Sequence, residues 1–209
     1  MADTAYAPRP DFCALEETLK SSLTAAVHAV ANVLAGLPVP GMLIGGIAVI
    51  ARGVPRLTRD VDATVAGTSL DLAVLLRRLS DHEIVPRIDD ARAFAEANQV
   101  LLMRHRPSGV DVDLSIAWLP FELDALAASE PLEIAGARVA VARAEDLIIY
   151  KAVAFRPQDQ QDIERLLVLY GSTVDLARIQ RIVAEFAVAL DEPERTEELA
   201  RILRRIELG

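Results

Sequence analysis

Between Ser21 and Ala51 the chain carries no Lys, Arg, Asp or Glu. A stretch that long without charge belongs either in a bilayer or inside a folded core. Its own punctuation decides between them: His28 and Asn32 lie in the first half, and Gly36, Pro38, Pro40, Gly41, Gly45 and Gly46 break the second. No uninterrupted apolar helix of about 20 residues is left to cross a membrane. The stretch reads instead as parts of a buried core. Leu15, Leu19, Leu23, Val27 and Val30 recur at helical spacing, which predicts an amphipathic helix over about residues 11–34 with Gly36 near its end. A turn through Pro38 and Pro40, a short apolar strand at 42–44, and a helix over 47–52 capped by Gly53 follow.

The remainder alternates strand and helix signals before becoming wholly helical. Residues 59–65 predict a strand with Asp60, Asp62 and Thr64 on one face and Val61, Ala63 and Val65 on the other. Helices are expected over 69–80 and 89–97, the second introduced by Asp89 and Asp90, with a short strand or bend at 84–85. Residues 99–105 and 110–117 form an antiparallel hairpin across Pro107-Ser108-Gly109, and 132–134 with 138–141 a smaller one turning at Ala135-Gly136. Helical segments occupy 144–154, 158–170, 175–190 and 194–206. The expected class is α+β, a mixed sheet flanked by helices in residues 1–143, followed by a C-terminal helical region in 144–209.

The net charge of −9 excludes a protein whose main task is coating nucleic acid, which rests on neutralising phosphates with Lys and Arg. The lone Cys13 cannot form an internal disulfide, and the first residues lack the pattern of a signal peptide, so a cytoplasmic location is expected.

The chemistry-bearing residues cluster after the charge-free stretch. A Gly-Gly step between a strand and a helix leaves backbone N–H groups that can approach phosphate oxygens without obstruction from a Cβ. Asp60 and Asp62, at i and i+2, project from one strand face, and a second paired strand, Asp111-Val112-Asp113, offers further carboxylates. Several same-face carboxylates on two strands repel one another without a cation between them. Phosphate donors beside a divalent-metal site are what phosphoryl or nucleotidyl transfer requires.

The run Leu43-Ile44-Gly45-Gly46, then Arg56-Leu57-Thr58-Arg59-Asp60-Val61-Asp62, resembles the signature of the DNA polymerase beta-type nucleotidyltransferase superfamily, and within it the AbiEii-type toxin and related minimal nucleotidyltransferases. Val112-Asp113-Leu114 followed by Pro120-Phe121-Glu122 is similar to the family's third-carboxylate strand. Ala144-Glu145-Asp146-Leu147-Ile148-Ile149-Tyr150-Lys151 resembles its next helix, and Arg156-Pro157-Gln158-Asp159-Gln160-Gln161-Asp162 the helix start after it. The resemblance spans about residues 38 to 170. One departure is Ile47, where many members place Ser at or after the glycine pair.

The resemblance implies Mg²⁺ or Mn²⁺ held by Asp60, Asp62 and Asp113, with a nucleoside triphosphate as substrate. Asp113 is preferred over Asp111 as third carboxylate and base because its distance to Pro120-Phe121 matches the family pattern. Gly45, Gly46, Arg56, Thr58, Lys151 and Asp162 are the nucleotide-binding candidates. Lys151, on a mostly apolar helix, is expected to contact the triphosphate; snorkelling to solvent and an ion pair with Asp162 are its alternatives. Asp159 reads as a helix cap. His28, His82 and His105 are scattered, without metal-ligand spacing, and Arg87, Arg92, Arg104 and Arg106 read as a solvated arginine face, though one able to receive RNA. The expected function is metal-dependent transfer of NMP from an NTP to an acceptor. That acceptor is tRNA or other RNA in a toxin of a toxin–antitoxin pair with a cognate antitoxin, or else a small molecule or protein. A catalytically silent antitoxin or binding protein is the alternative from another class.

Overall fold

In the computed structural model, which describes residues 21–207, the sheet has seven strands in the order β3-β4-β5-β2-β1-β7-β6. In chain order the elements are α1 (Ser21–Ala35), β1 (Gly41–Ile44), α2 (Gly45–Ala51), β2 (Asp60–Ala66), α3 (Leu72–Asp81), β3 (Ile84–Pro86), α4 (Ala91–Asn98), β4 (Val100–His105), β5 (Val110–Ala117) and α5 (Pro120–Ala127). They continue as β6 (Glu130–Ile134), β7 (Ala137–Val141), α6 (Ala144–Ala154), α7 (Pro157–Tyr170), α8 (Leu176–Ala189) and α9 (Glu194–Glu207). Two compact units result. One holds the whole sheet, with residues 21–51 and Pro55–Arg143; the other holds Arg52–Val54 and the helices from Ala144 onward. The class is the expected mixed α/β arrangement, and no helix among the described residues is long and apolar enough to cross a membrane.

The charge-free stretch forms the middle of the sheet unit. Met42 and Leu43 of β1 and Ile47, Ala48 and Val49 of α2 are fully buried, and α1 buries Leu23, Val27, Val30 and Leu34. Strand β1 and helix α2, apolar on all sides, have no face to offer water and are covered on both, whereas α1 turns Ala25 and Asn32 to solvent. The alternation in β2 works as its residue types dictate: Val61, Ala63 and Val65 are fully buried, while Asp60 is exposed and Asp62 half-buried. Thr64 is buried as well, its Oγ1 donating to Ser115 O at 3.3 Å.

Several local expectations are corrected. The start of the helix expected at residue 11, with Leu15 and Leu19, lies outside the described residues, as do Cys13 and Lys20. The helix expected from residue 69 begins at Leu72, because Asp71 is its cap, accepting from Ala73 N at 2.8 Å and Val74 N at 3.2 Å. Asp90 does not cap α4 through its side chain; it occupies the left-handed region at φ +49°. Helix α5 is an element the periodicity does not announce. Its start signals are nevertheless in the sequence: Pro120 at the first position and Glu122, whose Oε2 accepts from Trp118 N at 3.0 Å and Leu119 N at 3.1 Å. The Ala135-Gly136 turn has φ +51° and +81°, the two positive values a tight hairpin needs.

Register places the acidic residues. Strand β2 runs antiparallel to β1, with Ile44 opposite Asp62, and parallel to β5, with Asp60 beside Asp111 and Asp62 beside Asp113. Neighbouring residues in register share a face, about 4.8 Å apart. The chain then leaves β1 through Gly45, whose φ is +62°. A Cβ on Gly45 would fall 1.9 Å from Asp62 Oδ2. Gly45→Ala therefore combines a left-handed alanine with a carboxylate clash, and its urea unfolding midpoint is expected to drop by the equivalent of about 2 kcal/mol. An unchanged midpoint would show that the turn accepts a side chain.

Candidate active site

The Gly45-Gly46 turn, the loop before β2, and the first residues of β2 and β5 meet at one end of the two central strands. Each glycine makes room for a particular side chain. Asp62 lies against Gly45, and a Cβ on Gly46 would fall 2.4 Å from Thr58 Oγ1 and 3.4 Å from Arg56 Cζ. Thr58 in turn donates from Oγ1 to Asp60 Oδ1 at 2.7 Å, and Arg56 Nε donates to Leu57 O at 3.2 Å. The glycine pair has a structural reason in this molecule before any ligand is considered: the residues around the first carboxylates could not approach the turn otherwise. Ile47 is fully buried, so the residue after the pair serves the core and not the mouth of the turn.

Four carboxylates thus share a face: Asp60 and Asp62 from β2, Asp111 and Asp113 from β5. Two arginines answer them. Arg87, one residue beyond β3, is fixed by its N–H to Leu102 O at 3.1 Å. Across β4 its Nη1 donates to Asp111 Oδ2 at 3.1 Å and its Nη2 to Asp113 Oδ1 at 2.5 Å. Arg104, on β4 beside Asp111, donates from Nε to Asp111 Oδ1 at 2.7 Å. Arg87 and Arg104 are therefore partners of the acidic face and not part of a free arginine face. Sequence reasoning missed this because the pairing runs across three strands, though a long cation opposite Asp111 in a hairpin was a legible hint. Arg92 pairs with Glu96 on the surface of α4 at 2.9 Å.

The two β5 aspartates differ. Arg104 and Arg87 hold the Asp111 carboxyl below its usual value, the Arg104 hydrogen bond being the largest cause. Asp113 is pushed up, first by burial and then by the Asp60 and Asp111 charges, which together outweigh Arg87. The donors are hard carboxylate oxygens, the set a Mg²⁺-like divalent cation prefers, and the residues fit such an ion. As they stand, no three His, Cys, Asp or Glu side chains among the described residues converge into a finished metal cage; Asp113 is turned toward Arg87.

Lys151 and Asp162 belong to the helical unit. Lys151 is buried, with Nζ 2.7 Å from Asp159 Oδ1 and 3.1 Å from Asp162 Oδ2. The lysine neither snorkels nor stands alone. Asp159 both caps α7, accepting from Arg156 N at 3.1 Å, and pairs with Lys151. The histidines have local roles: His105 Nδ1 meets Ser108 Oγ at 2.8 Å, His28 Nε2 meets Ala135 O, and His82 closes α3.

Two tests follow from these pairings. Asp111, lowered in the folded state, stabilises above its ordinary value, a contribution lost as pH falls through the folded one; Asp113, raised, favours folding only in its protonated form. Asp111→Asn should lower the melting temperature at about pH 7, by under about 1 kcal/mol after solvent screening, and not at about pH 3. Asp113→Asn should leave it unchanged or raise it at about pH 7. The opposite order would show that Arg87 dominates Asp113. Lys151→Met leaves Asp159 and Asp162 without their shared cation, and is expected to lose about 3 kcal/mol on denaturant unfolding. Adding Asp162→Asn should restore part of that loss.

The comparisons agree with this architecture. Residues 37–203 match the family model described as "Nucleotidyltransferase of unknown function (DUF6036)", and no curated protein matches the chain. The solution structure of the antibiotic-resistance factor ANT(2'')-Ia is similar, with a TM-score of 0.57 and 18% identity, over 86% of this chain and 98% of that one. The crystal structure of ANT(2'')-Ia in complex with adenylyl-2''-tobramycin gives 0.54 and 16%, over 81% and 99%. At such identities these likenesses show the fold, and the family match covers most of the chain. This chain belongs to the family of nucleotidyltransferases of unknown function described as DUF6036.

Proposed function

We propose that the chain transfers NMP from a nucleoside triphosphate to an acceptor hydroxyl, releasing pyrophosphate, with Mg²⁺ held by Asp60, Asp62 and Asp113. The observation that carries this reading is the in-register pairing of Asp60-Val61-Asp62 with Asp111-Val112-Asp113, beside a glycine turn shaped around Asp62. When bound, the metal neutralises charge developing on the transferring phosphate. The chain's own groups supply the rest. Gly45 and Gly46 let Asp62 and Thr58 pack against the turn that would face the triphosphate, Thr58 fixes the Asp60 carboxylate, and Arg56, packed beside Gly46, offers a guanidinium to phosphate. Asp113, the third carboxylate, takes the acceptor proton. Lys151, paired with Asp159 and Asp162, is the nucleotide-binding candidate of the helical unit by the motif resemblance. In this reading residues 1–143 carry the carboxylates, and residues 144–209 carry Lys151 and Asp162.

The acceptor has two readings. The motif resemblance to AbiEii-type toxins favours the tRNA 3′ end or another RNA, with an antitoxin as partner. A small molecule is favoured by the acidic net charge and by the engagement of Arg87 and Arg104 with Asp111 and Asp113, which removes two of the cations an RNA would need. The adenylyl-2''-tobramycin in complex with the structurally similar ANT(2'')-Ia is a small molecule of that second kind.

Incubation of the protein with Mg²⁺, each labelled NTP and either total RNA or a panel of hydroxyl-bearing small molecules should label one acceptor class. Asp60→Asn with Asp62→Asn should abolish labelling, and Asp113→Asn should reduce it at least about a hundredfold. Labelling that persists in the double variant would remove the site from β2. No labelling of any acceptor, with no NTP-dependent rise in melting temperature, would support a silent binding protein.

A further inference from the structure

The guanidinium of Arg87 sits where the acidic face needs positive charge, yet it is an incompletely satisfied group. Its Nη1 and Nη2 are spent on Asp111 and Asp113, while Nε is buried without a hydrogen-bond partner among the described residues. A cation built solely to hold a fold is ordinarily bonded at all its buried donors. Arg104 offers a contrast within the same face, reaching Asp111 alone from a half-exposed position. Arg87 is the cation on Asp113, and the Nη2 contact of 2.5 Å occupies one oxygen of that carboxylate.

We propose that Arg87 is an internal counter-ion that competes with the divalent metal for Asp113, so that cation binding and release of the Arg87–Asp113 pair are linked. The inference rests on the metal-site reading of Asp60, Asp62 and Asp113. The physical argument is one of charge and direction. With Arg87 in place the third carboxylate faces a guanidinium, and a divalent ion arriving at Asp60 and Asp62 meets that positive charge and an oxygen already engaged. Freed, the guanidinium remains tethered by its backbone N–H to Leu102 O at 3.1 Å. Whatever lowers its hold on Asp113 raises metal affinity, since the two cations draw on one carboxylate.

The test is Mn²⁺ binding to the intact protein, read as free Mn²⁺ by electron paramagnetic resonance, for wild type, Arg87→Gln, Arg104→Gln and Asp62→Asn. Arg87→Gln is expected to tighten binding roughly tenfold, the equivalent of about 1.4 kcal/mol. Arg104→Gln, which removes a charge from the same face but not from Asp113, should change it by no more than about twofold. In the wild type, Mg²⁺ should shift the side-chain N–H resonances of Arg87 and leave those of Arg104 in place. Where Arg87→Gln does not fold, Arg87→Lys takes its place, because lysine keeps the charge but lacks the two-nitrogen fork that reaches Asp111 and Asp113 together, and an intermediate affinity is expected. Wild-type binding that is lost in Asp62→Asn but equal or weaker in the Arg87 variant overturns the competition and leaves the metal site standing. Equal tightening by the two arginine variants overturns it too, since it would reflect net charge alone. Absence of binding in every protein overturns the metal-site reading itself, and this inference with it.

Discussion

Parallel pairing of β2 with β5 in a single register is the constraint from which the site follows. It sets Asp60 beside Asp111 and Asp62 beside Asp113, so four carboxylates crowd one face of the two central strands. Like charges placed directly opposite one another destabilise a sheet, and the molecule meets that cost with local devices. Thr58 bonds Asp60, Arg104 and Arg87 bond Asp111, and Arg87 reaches Asp113. The absence of a side chain at Gly45 lets Asp62 withdraw toward the turn. Half-burial pushes the Asp113 carboxyl above its ordinary value in spite of its arginine.

The helical unit solves a similar problem in the opposite way. There Asp146, Asp159 and Asp162 are buried and each is matched with a cation. Lys151 lies between Asp159 and Asp162, and Arg178 Nη1 lies 3.1 Å from Glu145 and 2.7 Å from Asp146. Such pairs add little net stability over apolar packing, but losing one partner leaves a buried charge behind. They fix α6 against α7 and α8 in one arrangement. Tyr170 adds to this by donating its hydroxyl to Arg52 O at 2.9 Å, which ties the Arg52–Val54 segment to α7 within the same unit.

Legibility varied with how local each signal is. The hairpin at Ala135-Gly136, the β5 alternation, and the helices from Ala144 onward are written in short-range patterns of residue type, and the observed elements follow them within a residue or two. Helix α5 escaped because its apolar spacing is poor, although Pro120 and Glu122 mark its start. Asp90 was misread because a side chain suited to capping says nothing about the backbone angle the chain must adopt to enter α4. Arg87 was misread because an arginine is at home in solvent, and only the stacking of β3 and β4 next to β5 carries it over two aspartates.

The sequence by itself determined the composition of the candidate site. Asp-x-Asp on an alternating strand, a second Asp-x-Asp on another, and a Gly-Gly step after an apolar strand are local patterns, and their chemistry holds wherever the strands lie. Only the tertiary structure decided which acids stand beside which, that Gly45 and Gly46 yield their volume to Asp62 and Thr58, and that Arg87 and Lys151 are each engaged by two carboxylates. Strand order and register are settled by burial of residues far apart in the chain, and the partner of a long charged side chain is whatever that burial brings within its reach.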